Sequence, residues 1–179
     1  MRIIRGILKS RRFSPPKKFP SRPTTDFAKE GLFNILENRI EFGDLNILDL
    51  CAGTGNISLE FASREAGRIM CVDSNYHCVR FIQMMIDQNE LRSVMQVTKS
   101  DVRDYARKTE KRFDLIFVDP PYNASFYEEL QTIIQDRSLL MPEGMCIIEH
   151  GKQTDLSKLS GYQETRHFGN VYFSFFEAI

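Results

Sequence analysis

Residues 46–57, Asn46-Ile-Leu-Asp-Leu-Cys-Ala-Gly-Thr-Gly-Asn-Ile57, decide how the rest of the chain is read. Ile47 to Leu50 is a short apolar run of the kind that forms a buried strand. It feeds a loop containing Gly53 and Gly55, and a helix is expected from about Asn56. Neither glycine carries a Cβ, so the backbone can turn tightly there and come close to a ligand. At the C-terminal end of a central parallel strand, such a loop borders the crevice in which open α/β sheets bind their ligands. The first N–H groups of the following helix face the same crevice. A Gly-x-Gly pair also suits an ordinary strand-to-helix turn, so its weight depends on its surroundings.

Downstream the pattern alternates. The first helix runs to Ala66 and precedes a strand over Arg68–Val72. A helix from Tyr76 to Asn89, with Val79, Ile82 and Ile86 inward, precedes a strand over Val94–Thr98. A short helix after Ser100-Asp101 precedes a strand over Phe113–Val118. Helix Phe126–Asp136, a turn at Pro142-Glu-Gly144 and strand Met145–Glu149 come next. Two last strands, Tyr162–Phe168 and Val171–Phe176, flank Gly169-Asn170, which reads as a hairpin turn with positive φ at both central residues. Upstream, Pro23-Thr-Thr-Asp26 opens a helix that continues to Asn38, with Ala28, Leu32 and Leu36 on one stripe. Before it, Pro15, Pro16 and Pro20 force an extended segment. Arg2–Ile7 and Arg11–Phe13 read as a small hairpin. Strands separated by helices imply a parallel sheet with right-handed crossovers, and the final hairpin adds an antiparallel strand. The expected organisation is a basic arm over residues 1–23 and an α/β domain over residues 24–179.

A chain of 179 residues, 42% hydrophobic and 11% aromatic, suffices for one such domain and a short extension. No apolar run nears the roughly 18 residues of a membrane helix, and Met1-Arg-Ile-Ile-Arg-Gly6 does not read as a secretory leader. A cytoplasmic protein free of membrane is expected. Cys51, Cys71, Cys78 and Cys146 form no Cys-x-x-Cys pair and read as reduced thiols, with no metal site. His77, His150 and His167 show no ligand spacing; His150 reads as a core residue beside a possible pocket. Net charge is zero, but unevenly spread. Residues 1–30 hold nine basic and two acidic side chains, and the remainder holds fifteen and twenty-two. A basic arm on a neutral chain suits a polyanion. Arg2, Arg5, Lys9, Arg11, Arg12 and Arg22 are the candidate phosphate contacts.

Asp49, Asp73, Asp101 and Asp119 stand at or near strand ends, all but Asp49 just past them. Asp73 follows Gly53 by twenty positions, where a carboxylate can accept both hydroxyls of a ribose. Asp101 is placed to meet an adenine amino group. Each could instead cap its following helix, but several beside a glycine loop point to a nucleoside. A dinucleotide site would show a third glycine where Ser58 stands, and no Gly-Lys-Ser/Thr phosphate loop exists. No lysine or arginine lies within residues 46–63 to meet a pyrophosphate. A sulfonium nucleoside, S-adenosylmethionine, fits better. Its expected contacts are Asp49, Ala52, Gly53, Thr54, Gly55, Asp73, Ser74, Asp101, Val102 and Asp119.

Asp119-Pro120-Pro121-Tyr122 is the most specific stretch. Two prolines fix φ and remove N–H donors, leaving carbonyl acceptors in a stiff frame. The Asp119 carboxylate adds another acceptor, and Tyr122 offers a planar face. The set suits a flat –NH2 group on a ring.

With the glycine loop upstream, this motif resembles those of the exocyclic-amine methyltransferases. Arg2-Ile-Ile-x-Gly6, Arg22-Pro-Thr-Thr-Asp26, Glu30-x-Leu-Phe-Asn34, Leu48-Asp-Leu-Cys-Ala-Gly-Thr-Gly55, Phe117-Val-Asp-Pro-Pro-Tyr122 and Phe168-Gly-Asn together resemble the RsmD family. The likeness spans nearly the whole chain. It implies a Rossmann-like, seven-stranded class I S-adenosylmethionine-dependent methyltransferase fold with a small N-terminal hairpin. It further implies methylation of guanine N2 in 16S ribosomal RNA, with the RNA or the assembling small subunit as partner, by a monomer. The chain departs from the family pattern at Ser10 and Asn170, where many members have Gly and Asp. A DNA adenine-N6 methyltransferase uses the same Asp-Pro-Pro-Tyr, but usually carries a large target-recognition segment. A non-catalytic RNA-binding or assembly protein on this fold would not need the glycines, Asp119 and Tyr122 intact.

Overall fold

The structure is a computed structural model that describes residues 1–179 except Arg22 and Tyr122, so the expectations for those two side chains lie outside the described residues. In chain order the elements are α1 (Asp26–Glu37), β1 (Asn46–Leu50), α2 (Asn56–Ser63), β2 (Arg68–Asp73), α3 (Tyr76–Gln88) and β3 (Met95–Lys99). They continue with α4 (Val102–Lys108), β4 (Phe113–Val118), α5 (Tyr127–Asp136), β5 (Leu140–His150), β6 (Tyr162–Phe168) and β7 (Val171–Glu177). One seven-stranded sheet has the order β3-β2-β1-β4-β5-β7-β6. Strands β1 to β5 are parallel, and β7 is antiparallel to both β5 and β6. Strand order reverses between β1 and β4, so their C-terminal ends open the crevice the sequence anticipates.

Each face of the sheet packs its own core. Ile47, Cys71, Leu115, Phe117, Ile147 and Phe173 face α1, α2 and α3, while Leu48, Leu50, Ile116, Val118 and Ile148 face α4 and α5. Burial on both faces explains why β1 and β4 are apolar without strict alternation. Helix α1 starts where the threonines predict: the Thr25 side chain accepts from the Ala28 N–H at 3.2 Å. Its buried stripe includes Ala28, Leu32, Phe33, Leu36 and, unexpectedly, Lys29.

Three local expectations change. Pro142-Glu-Gly144 is not a turn ahead of the strand but part of β5, accommodated by a register shift against β4 and a positive φ at Glu143. Helix α2 ends at Ser63 rather than Ala66, because Glu65 takes a left-handed φ of 63° and closes the helix. In the last hairpin Gly169 takes positive φ and Asn170 does not, the pattern of a turn with glycine at its first central position.

The N-terminal segment forms a single antiparallel bridge, Arg2 to Arg12, instead of two strands. Residues 5–10 between them are bend and turn. Ser10 sits at φ 67°, a left-handed conformation that explains why glycine suits this position. The arm is nonetheless firmly attached. Ile3 and Leu8 are buried in the main core. Glu60 of α2 accepts from Ile4 N–H at 2.9 Å and Arg5 N–H at 3.0 Å. Ser63 accepts from Ile7 N–H through its carbonyl and from Leu8 N–H through its hydroxyl. Gly6, at φ 86°, must be glycine: a Cβ there would lie 1.7 Å from the Ser63 carbonyl oxygen.

Candidate active site

A cavity of about 750 Å³ opens at the C-terminal ends of β1, β2, β4 and β5, large enough for a nucleoside and more. Strand alternation builds its floor. Asp49 pairs in register with Cys71 on β2 and Phe117 on β4. Asp73, Asp119 and Glu149 each lie two residues beyond a side chain of that face, so all four carboxylates project from one side of the sheet. The lining also includes Ala52, Gly53, Thr54, Ser74, Asp101, Val102, Pro120, Pro121 and Phe126. Gly55 is absent from it. At φ 70° Gly55 caps α2 and packs toward Ile82, so it shapes the loop from behind.

Each carboxylate is held differently. Asp73 accepts from Gly53 N–H and from Asn75 N–H, both at 2.8 Å, so it ties the glycine loop to β2. Asn75, not Asp73, caps α3. Asp101 does cap α4, accepting from Arg103 and Asp104 N–H, and it pairs with the Arg103 guanidinium at 3.0 Å. That pairing holds its carboxyl below the usual range while it still borders the cavity. Asp49 is buried beneath the loop and accepts from the Ser58 hydroxyl. Burial raises its pKa to about 7, against that hydrogen bond. At the position where a dinucleotide site would carry glycine, Ser58 thus supplies a hydroxyl instead. Asp119 is partly open to the cavity, yet desolvation by the surrounding protein raises its carboxyl well above the usual range. Glu149, Asp49 and Asp73 push the same way.

The set is rich in acceptors and short of cations: among the described residues no lysine, arginine or histidine lines the cavity. Such a lining suits a ligand with positive charge and hydroxyl donors, and disfavours a phosphate. The Ser21 hydroxyl, buried beside Gly53, faces only the Cys78 thiol and has no oxygen or nitrogen partner among the described residues. A buried hydroxyl left unpaired is costly, so it marks a place where a bound polar group would be accepted. These features fit S-adenosylmethionine.

Several cavity residues escaped sequence reasoning. Thr24 reads as part of a helix start, yet its hydroxyl donates to Glu149 at 2.8 Å and its carbonyl accepts from Asn56 at 2.9 Å. Asn56 in turn accepts from Lys29 Nζ at 2.8 Å, and Lys29 also reaches the Arg2 carbonyl at 2.7 Å and Glu60 at 3.3 Å. A buried polar chain therefore joins the arm to the cavity wall. The place of Glu149 at the end of the expected strand Met145–Glu149 was the available signal for the acidic member. His150 takes no part in the cavity lining. Its ring contacts the Ser174 hydroxyl at 2.7 Å and the Gly151 carbonyl at 2.9 Å, and burial lowers its pKa.

Of the candidate phosphate contacts, Arg2 pairs with Asp26 at 3.8 Å, Arg5 with Glu37 at 2.6 Å, and Arg11 donates to Asn89 at 2.6 Å. Lys9 and Arg12 are exposed and make no ion pair among the described residues.

The family model for conserved hypothetical protein 95 matches residues 1–177. The Bacillus subtilis (strain 168) protein YlbH is 31% identical over 90% of this chain and 88% of its own length. Ribosomal RNA small subunit methyltransferase D of Escherichia coli (strain K12) is 29% identical over 83% of this chain and 74% of its own. Among solved structures, the Escherichia coli protein yhhF superposes with a TM-score of 0.87 at 23% identity, covering 99% of this chain and 97% of that one. Sheet order and superposition together bear out the class I methyltransferase architecture expected from the sequence.

Proposed function

The chain belongs to the conserved hypothetical protein 95 family, the RsmD family, and from that premise we propose that it methylates the exocyclic N2 of a guanine in small-subunit ribosomal RNA with S-adenosylmethionine as donor. What supports the reading most is the acceptor-rich lining around Asp119, beside the carboxylates of β1 and β2. The relative in Escherichia coli that carries the name ribosomal RNA small subunit methyltransferase D agrees with it.

When bound, S-adenosylmethionine supplies an electrophilic sulfonium methyl group. Asp73 would accept from the ribose hydroxyls, and Asp49 and Asp119 would compensate positive charge. Asp101 would meet the adenine amine with whatever acceptor capacity Arg103 leaves. The target base must leave its stack to enter, as enzymes acting on bases require. A guanine amine is a poor nucleophile because its lone pair is delocalised into the ring. The Asp119 carboxylate and the Pro120 carbonyl would accept its two N–H bonds, drawing the nitrogen toward a tetrahedral shape and aiming its lone pair. Tyr122 would stack on the ring. Positioning and fixed charge then carry most of the barrier reduction. Asp119 is suited to take the proton that the amine sheds as the new N–C bond forms. The test is nucleoside mass spectrometry of small-subunit RNA treated with the protein and methyl-labelled donor. N2-methylguanosine is expected. N6-methyladenosine would keep the amine chemistry and overturn the guanine assignment.

A further inference from the structure

Glu149 borders the cavity and has no part in the chemistry above. It follows Ile148, which pairs with Val118, and Asp119 follows Val118. The two carboxylates therefore stand side by side at the ends of adjacent parallel strands, and both line the cavity. Strand order assigns them different neighbours. From β3 across to β5 come Asp101 and Asp73, then the glycine loop of β1, then Asp119, then Glu149. Glu149 thus lies beyond Asp119 on the side away from the nucleoside carboxylates. A base whose amine is held at Asp119 can extend the rest of its edge that way, clear of the nucleoside carboxylates.

Glu149 is oriented from behind. It is 3% exposed, and its Oε2 accepts from the Thr24 hydroxyl, itself 6% exposed and anchored through Asn56 to Lys29. Thr24 takes one of the roughly four acceptor positions of this carboxylate, which also borders the cavity.

We propose that Glu149 accepts the N1–H of the target guanine next to the N2 amine held by Asp119, and so selects guanine over purines that present an acceptor at that position. The inference rests on the guanine-N2 reading above. N1–H and the N2 amine are adjacent donors on one edge of guanine, and two adjacent carboxylates match them. Adenine sets an unprotonated N1 beside its amine, which would place two acceptors against each other. Sites that hydrogen-bond a substrate group can reject analogues lacking it by about 10⁴-fold.

2,6-Diaminopurine isolates this contact, because it keeps the 2-amino group and lacks the N1–H. The experiment compares kcat/KM for small-subunit RNA carrying guanosine with that for RNA rebuilt by ligation with 2,6-diaminopurine at the methylated position. The wild-type protein should prefer guanosine by roughly 10²-fold or more. In Glu149→Gln the amide oxygen can still accept from Thr24 while the amide N–H donates to an unprotonated N1. That variant should lose activity on guanosine and narrow the preference by about tenfold or more. A wild-type preference below about threefold would overturn the inference with no variant needed. So would a Glu149→Gln protein that slows on both substrates equally. Either result leaves N2-methylguanosine formation standing, whereas absence of that product from wild-type protein removes the function and this inference together.

Discussion

Asp49 and Asp119 are the same residue type on neighbouring strands, and burial makes both reluctant acids in the free protein. For Asp119 the consequence is catalytic. It must be ionised to take the proton that the amine sheds, so turnover should rise with pH from the acid side, a profile readable in single-turnover rates. Asp119→Ala should lose about 10²-fold or more in turnover, the scale of removing one well-placed polar group. Its cofactor affinity by calorimetry should change little, and turnover at the wild-type rate would refute the role. For Asp49 the consequence is stability. The folded chain keeps a proton to about pH 7 that the unfolded chain, near its ordinary 3.8, has already released. Stability from this group is therefore full below about pH 4 and falls as pH rises to about 7, by up to about 1.4 kcal/mol per pH unit. Asp49→Asn should flatten that decline in denaturant unfolding measured across pH. An unchanged slope would show that Asp49 is not the group responsible.

At the scale of elements, α1 and α2 do more than cover the sheet. Lys29 and Glu60 are fully buried partners between them, joined by Arg64 at 2.9 Å and by the backbone of the arm. Desolvation lowers the Lys29 pKa, but three close oxygens hold its ammonium. Lys29→Met should destabilise the fold by about 3 kcal/mol, since Glu60, Asn56 and the Arg2 carbonyl would each lose a partner. Equilibrium unfolding would measure it, and a neutral result would mean that the network adds no net stability. Little of this could be read in advance. The alternation of apolar runs located every strand of the sheet, Thr25 announced its helix start, and spacing brought Gly53 and Asp73 to the cavity. Lys29 did not, because a lysine on a helix is ordinarily solvated and nothing local marks it as buried. Glu149 and Thr24 meet across 125 residues, and only the register of β4 on β5 brings the first of them to the cavity. The β5 bulge was hidden for another reason: proline and glycine signal a turn, and tertiary pairing drew them into a strand.

Over the whole molecule, the uneven charge gains a geometry. Part of the basic excess is already neutralised, Arg2 by Asp26 and Arg5 by Glu37, which leaves Lys9, Arg11 and Arg12 as the freest of the described candidate phosphate contacts. Replacing Arg11 and Arg12 by Ala should weaken RNA binding and reduce the slope of log affinity against log salt by about 1.5 to 2, with cofactor affinity unchanged. A slope equal to that of the wild-type protein would leave the arm without a role in binding. The arm that carries these charges is fastened by groups it does not own. Glu60 and Ser63 grip its backbone N–H groups, Lys29 grips a carbonyl, and Gly6 passes where no side chain could. Recombination between related genes could therefore not trade the first thirteen residues as a free cassette. A transplanted arm would seat only in a recipient that already holds the lysine, glutamate and serine of its new helices, so arm and helices are expected to be inherited as a single heritable unit.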